Sequence, residues 1–161
     1  MTKTGPDHLD SLRDGRSVYL NGQLVGDVVD HQAYRNSIRS TAALYDFQAA
    51  PENQELVTFE SPTGARVNRC WQMPESYEEI VLRRLALEAW AEQTNGFLGR
   101  SPDHVASSLS GMMMRLDLFE AHGEKRAKAF SGYFEYVRDN DQFVTYVVVS
   151  PQADRFKGVG E

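Results

Sequence analysis

The run Gly99-Arg100-Ser101-Pro102-Asp103-His104 gathers the groups needed to hold an anion and to manage its proton. Serine, proline and an acid in succession mark an abrupt helix start: a capping hydroxyl, a ring preset for the first turn, and a charge matched to the dipole. The unpaired N–H groups of such a start favour negative charge, and Arg100 stands immediately before it. His104 falls near the end of the first turn, on a different face from Val105 and Leu109. An arginine, a hydroxyl, an imidazole and a helix dipole on one spot suit a carboxylate or a phenolate. The plainer alternative is a good cap, with Arg100 a solvated charge and His104 a packing residue.

Other reactive side chains carry weaker signals. Tyr146 places a phenol inside a terminal apolar run, where it reads as a core or interface aromatic with one satisfied hydroxyl. Met112-Met113-Met114 suits an adaptable pocket wall or a methionine-rich core face. Cys70 lies in a strand-like run with no histidine near it in sequence, which favours a small buried hydrophobe over a nucleophile. His8, His31, His104 and His122 have no metal-ligand spacing. The glycine-rich phosphate loops, the Gly-x-Ser-x-Gly elbow and the His-Glu-x-x-His zinc motif do not occur.

The elements that must position these groups are mainly helical. A short polar helix is expected around residues 7–13, followed by VYLNGQLVGDVV, whose Asn21-Gly22 pair predicts a tight hairpin. Tyr34, Ile38, Ala42 and Tyr45 recur at helical spacing over 31–50. LVTFE and ARVNRCWQ read as two strands joined at Ser61-Pro62-Thr63-Gly64. Ser76 and Glu79 form a capping pair before a helix with Leu82, Leu85, Ala86, Ala89 and Trp90 on its apolar stripe, ending near Asn95-Gly96. The helix after Ser101 is expected to bury Val105, Leu109, Met112, Met113 and Leu116. Another spans Glu124 to Asp139 with Phe130, Phe134 and Val137 inward, and Trp71 and Trp90 read as core. FVTYVVVS reads as a terminal strand apolar on both faces, which needs cover from the earlier strands or from further chain.

Composition bounds the function. The 161 residues make one domain that buries roughly two-thirds of its unfolded surface. A net charge of −6 excludes broad binding to nucleic acid or anionic membrane, and leaves room for a local basic pocket. The single cysteine, the absence of an apolar leader and the absence of a membrane-length run predict a cytoplasmic protein.

Taken in order, DSLRDGRSVYLNGQLVGDVVDHQAYRNSIRSTAALYD, GRSPDHVA and VSPQADR resemble the N-terminal domain of the 4-hydroxyphenylacetate 3-monooxygenase family, from about residue 4 to the end. These are oxygenase components of two-component, flavin-dependent aromatic hydroxylases. The resemblance implies the N-terminal helical domain of an acyl-CoA-dehydrogenase-like fold over residues 1–161, without the middle β-domain and the C-terminal helical bundle. It implies FAD, delivered as FADH2 by a partner flavin reductase and not retained by this chain alone. It further implies oxygen insertion through a C4a-hydroperoxyflavin, ortho to the hydroxyl of a phenolic substrate. The expected partners are a small aromatic substrate, the reductase, and the remaining oxygenase domains or further copies of the chain as a homo-oligomer.

Residue by residue, Arg100 matches the family arginine that contacts the phenolic oxygen, with Ser101 beside it. Position 104 is tyrosine in the 4-hydroxyphenylacetate branch and His104 here, while position 146 matches a histidine there and is Tyr146 here. That exchange implies a changed substrate or proton path, and a phenolic, anthranilate-like or carrier-bound aromatic would fit. Ser150 and Gln152 are the cofactor-binding candidates. The related iron–sulfur dehydratase needs cysteines near Arg100, and Cys70 is far from there in sequence. A non-catalytic helical binding or assembly domain, or a truncated gene remnant, is the competing reading.

Overall fold

The computed structural model describes residues 2–97 and 102–146. Helix α1 (Gly5–Ser11) starts at Thr4, whose hydroxyl accepts from the Asp7 amide while the Asp7 carboxylate accepts from the Thr4 amide. Strands β1 (Val18–Leu20) and β2 (Gln23–Val25) pair antiparallel with Val18 opposite Val25. Asn21 and Gly22 take φ of 51° and 78°, as a tight hairpin of this twist requires.

Helix α2 (Arg35–Ala49) ends because Pro51 holds Ala50 extended, and Pro51 then opens α3 (Pro51–Val57). Strands β3 (Thr58–Glu60) and β4 (Arg66–Asn68) form a second hairpin around the Ser61–Gly64 turn, leading into a 3-10 turn at Arg69–Trp71. Helix α4 (Tyr77–Thr94) is capped by Ser76 and ends on a left-handed Asn95. Helices α5 (Asp103–Met113), α6 (Asp117–Glu120) and α7 (Glu124–Asp139) complete the described chain.

The core lies where these helices meet the 3-10 turn. Leu44, Val57, Cys70, Trp71, Ala86 and Phe134 are all buried there. The Trp71 ring meets the Phe134 ring edge-on, with centroids 6.1 Å apart. Burying each such side chain fully contributes about 1.5–3 kcal/mol. α1 packs on α2, α3 on both α2 and α4, and α5 on the 3-10 turn and α7.

A polar cluster is buried inside this apolar shell. Asp141 follows α7 in a left-handed conformation, φ 45°, one that aspartate tolerates better than most side chains. The Gln142 amide reaches back to the Val137 carbonyl and the Asp141 amide to that of Arg138, closing the helix end. The Asp141 carboxylate accepts from the Asn68 amide (3.1 Å) and from Gln48 Nε2, while its carbonyl accepts from the Tyr45 hydroxyl (2.7 Å). Asn68 Nδ2 donates to Gln48 Oε1 and Asn68 Oδ1 accepts from the Cys70 amide, so the donors and acceptors interlock. Burial raises the Asp141 carboxyl to about 6. His8 stacks on the Tyr45 ring with centroids 4.9 Å apart, and burial lowers its imidazole to about 4.

Several expectations change. Residues 31–34 lie outside α2, which begins at Arg35. Leu56 and Val57 belong to α3 and not to a strand, because Pro51 and Glu52 start a new helix ahead of them. Cys70 sits in the 3-10 turn beyond β4, fully enclosed as expected. On α4, Ala86 and Trp90 are buried as expected while Leu82 faces solvent; on α5, Met112 faces solvent, Leu109 and Met113 pack partly buried on the core, and the fully buried residues are Ala106 and Ser110. Residues 143–146 form no strand; Phe143 and Val144 pack on the core, and the rest of that run lies outside the described residues. None of the described helices is long and apolar enough to cross a membrane.

Two measurements check this account. A Cβ on Gly5 would lie 2.5 Å from Asp46 Oδ2 and 2.8 Å from the Ala42 carbonyl, so α1 and α2 would have to part. Gly5→Ala is expected to cost about 1–3 kcal/mol by urea denaturation, whereas Gly132→Ala, with open space around its Cβ in α7, is expected to stabilise by about 0.5–1 kcal/mol.

The second concerns pH. His8 titrates lower in the folded state than its ordinary 6.5, so it adds stability as pH rises from about 4 to 6.5. Asp141 titrates higher than its ordinary 3.8, so its contribution falls as pH rises from about 4 to 6. The two slopes oppose. Relative to the parent chain, His8→Gln should lose stability as pH rises across this window and Asp141→Asn should gain it, both read from denaturation curves.

Candidate functional site

The site is built on the start of α5 and on the segment that leaves α7. Asp103 and His104 are the first two residues of α5, with Pro102 preceding them at the cap position and not inside the first turn. The His104 carbonyl accepts from the Ser108 hydroxyl, which adds a side-chain contact to the first turn. The His104 ring is half-buried and lies 5.2 Å from the Tyr146 ring, tilted by 43°. Tyr146 is itself 45% exposed, so the pair opens to the surface. Arg100, Ser101, Ser150 and Gln152 lie outside the described residues.

Two anchors hold this pair, and sequence reasoning named neither. Arg83, on α4, donates through one nitrogen to the Cys70 carbonyl (2.6 Å) and to the Ser107 hydroxyl (2.8 Å). It thereby pins α5 against the 3-10 turn one helical turn from His104. Burial lowers the Arg83 guanidinium, and the nearby Cys70 and Asp103 partly offset that. The only signal was a cation interrupting the apolar stripe of α4.

The second anchor is the Asp141 cluster, five residues before Tyr146. Its carboxylate ties the exit from α7 to Gln48 on α2 and to Asn68 at the end of β4. A cavity of about 10 Å3, the size of one water, is lined by Asp141, Gln142 and Phe143 after α7, by Pro102 at the cap of α5, and by Tyr45, Gln48, Asn68 and Trp71. The cap of α5, through Pro102, and the exit from α7 therefore share one small cavity. Asp139-Asn140-Asp141 is legible as a helix stop, but nothing in that tripeptide says that its last carboxylate is buried.

Chemically, an imidazole and a phenol in ring contact can donate to or accept from an oxygen placed between them, and the helix start beneath favours negative charge on it. The Cys70 thiol takes no part, because burial raises it well above its ordinary value and encloses it. Among the described residues, no three His, Cys, Asp or Glu side chains are placed to share a metal ion.

The comparisons agree with this architecture. The family described as "4-hydroxyphenylacetate 3-hydroxylase N terminal" matches residues 4–161. The chain is 37% identical to the 4-hydroxyphenylacetate 3-monooxygenase oxygenase component of Geobacillus sp. (strain PA-9), covering 99% of this chain and 32% of that protein. It is 33% identical to the 4-nitrophenol 2-monooxygenase oxygenase component of a Rhodococcus species, covering 98% of this chain and 30% of the relative. The crystal structure of a 4-hydroxyphenylacetate 3-monooxygenase oxygenase component (HpaB) complexed with FAD and 4-hydroxyphenylacetate superposes with a TM-score of 0.85 at 30% identity, over 97% of this chain and 32% of that one. The chain thus spans about a third of the length of these relatives. Its mainly helical fold with two small hairpins, and its match along nearly the whole sequence, place it in the 4-hydroxyphenylacetate 3-hydroxylase family, as the N-terminal domain.

Proposed function

We propose that this chain forms the phenol-facing part of an FAD-dependent aromatic hydroxylase that adds one oxygen atom of O2 ortho to an existing hydroxyl. The observation that carries the reading is the contact between His104 and Tyr146, two candidates 42 positions apart whose rings lie 5.2 Å from one another. They meet at the helix start that follows Arg100 and Ser101 in sequence. In this reading Arg100 and Ser101 take the substrate oxygen, favouring its phenolate form, and His104 and Tyr146 orient the ring and hold the proton. Relatives that act on 4-hydroxyphenylacetate and on 4-nitrophenol support a phenolic substrate.

In this reading most flavin contacts come from the part of the oxygenase corresponding to the other two-thirds of the relatives' length, with Ser150 and Gln152 as this chain's contribution. When bound there, FAD supplies the activation of oxygen. A separate flavin reductase would supply it in reduced form, and the chain alone would retain it weakly or not at all.

Two experiments on the complete oxygenase test the reading. Arg100→Ala is expected to lower product formed per O2 consumed by about 10²-fold, the scale of losing one charge-stabilising donor, with O2 consumption itself kept. An unchanged ratio contradicts the role given to Arg100. The double exchange His104→Tyr with Tyr146→His should raise the preference for 4-hydroxyphenylacetate over other phenols in competition assays. An unaltered preference removes this pair from substrate selection.

A further inference from the structure

We infer that Asp141 is a positioning residue: its buried carboxylate, gripped by Gln48 and Asn68, sets the path of residues 142–146 and so holds Tyr146 against His104. The inference rests on the reading of that pair as substrate-facing, but its geometry stands by itself. Asp141 is 5% exposed, and it bonds to two elements that lie 73 or more positions away in sequence: Asn68 at the end of β4, and Tyr45 and Gln48 on α2. Its own backbone is left-handed, so the chain reverses at this residue instead of continuing along α7.

An ordinary helix stop needs none of this. Glycine adopts the same left-handed conformation without strain and without a charge to bury. A buried carboxylate lowers stability unless every lone pair finds a donor, and even then a well-packed apolar group is often as stable. What the carboxylate adds here is direction, because both of its oxygens are engaged from different elements. Lys3 attracts it from the segment before α1, while Tyr45 and Cys70 are the titratable neighbours around it and His8 stacks on the Tyr45 ring. Raised to about 6, Asp141 is mostly ionised at neutral pH, when both acceptor oxygens are available.

The test is the ring–ring nuclear Overhauser effect between His104 and Tyr146 in the 161-residue chain at neutral pH, with the Trp71–Phe134 contact as the internal measure of folding. Asp141→Asn leaves a donor where an acceptor is needed, and the His104–Tyr146 signal should fall at least twofold while Trp71–Phe134 is retained. If Asp141→Asn loses the Trp71–Phe134 signal as well, Gln48→Met, which removes one grip and keeps the carboxylate, is expected to give the same selective loss. A His104–Tyr146 signal unchanged in a folded Asp141→Asn chain, or unchanged in Gln48→Met where Asp141→Asn does not fold, overturns the inference. Adding 4-nitrophenol to the complete oxygenase separates the two readings. Selective loss in the variant without phenol-induced shifts at His104 upholds the positioning role and speaks against the substrate reading; phenol-induced shifts with an unchanged variant do the reverse.

Discussion

Asp141 is the point on which distant parts of this domain converge. An ionised group at 5% exposure is tolerable only with donors on both oxygens, and those donors come from α2 and β4, which the chain completes some 70 to 90 residues earlier. Satisfying it fixes where α7 ends relative to α2, and with that the edge of the apolar core around Trp71 and Phe134. Arg83 plays the matching part on the other side, tying α4, α5 and the 3-10 turn together. On the positioning role inferred for Asp141, the His104–Tyr146 contact follows from these anchors.

This arrangement also explains a feature that looks wasteful in stability. Asp141 and His8 flank the same Tyr45 ring, and each is shifted toward its neutral form by burial. One opposes and the other supports the folded state as pH rises through the range about 4 to 6, so their effects offset.

Much of the fold was legible because its ends carry their own chemistry. Asn21-Gly22, the Ser76 cap, the Asn95 stop and the Phe134–Val137 stripe all appear where local propensity and packing agree. Departures occur where two signals compete. Leu56 and Val57 read as strand together with Thr58, yet Pro51 and Glu52 had already begun a helix that ends at Val57, and the strand starts only at Thr58. Met112 looked inward by size, but α5 packs so closely that Ala106 and Ser110 take the contact. Of the site, His104 and Tyr146 were named beforehand and are found together. Asp141, Gln48, Asn68 and Arg83 were not, because polar residues at these spacings carry no periodicity that marks them as buried. Their roles depend on partners brought close only by the complete fold.

The central claim is that this helix start, with Arg100 and the His104–Tyr146 pair, favours a phenolate. The most direct measurement is the absorbance titration of 4-nitrophenol bound to the complete oxygenase, compared with the free phenol. The account predicts that the bound phenol ionises at lower pH than the free one, and that Arg100→Ala returns the midpoint toward the free value. A bound phenol that titrates at or above the free value, with no response to Arg100→Ala, would contradict it.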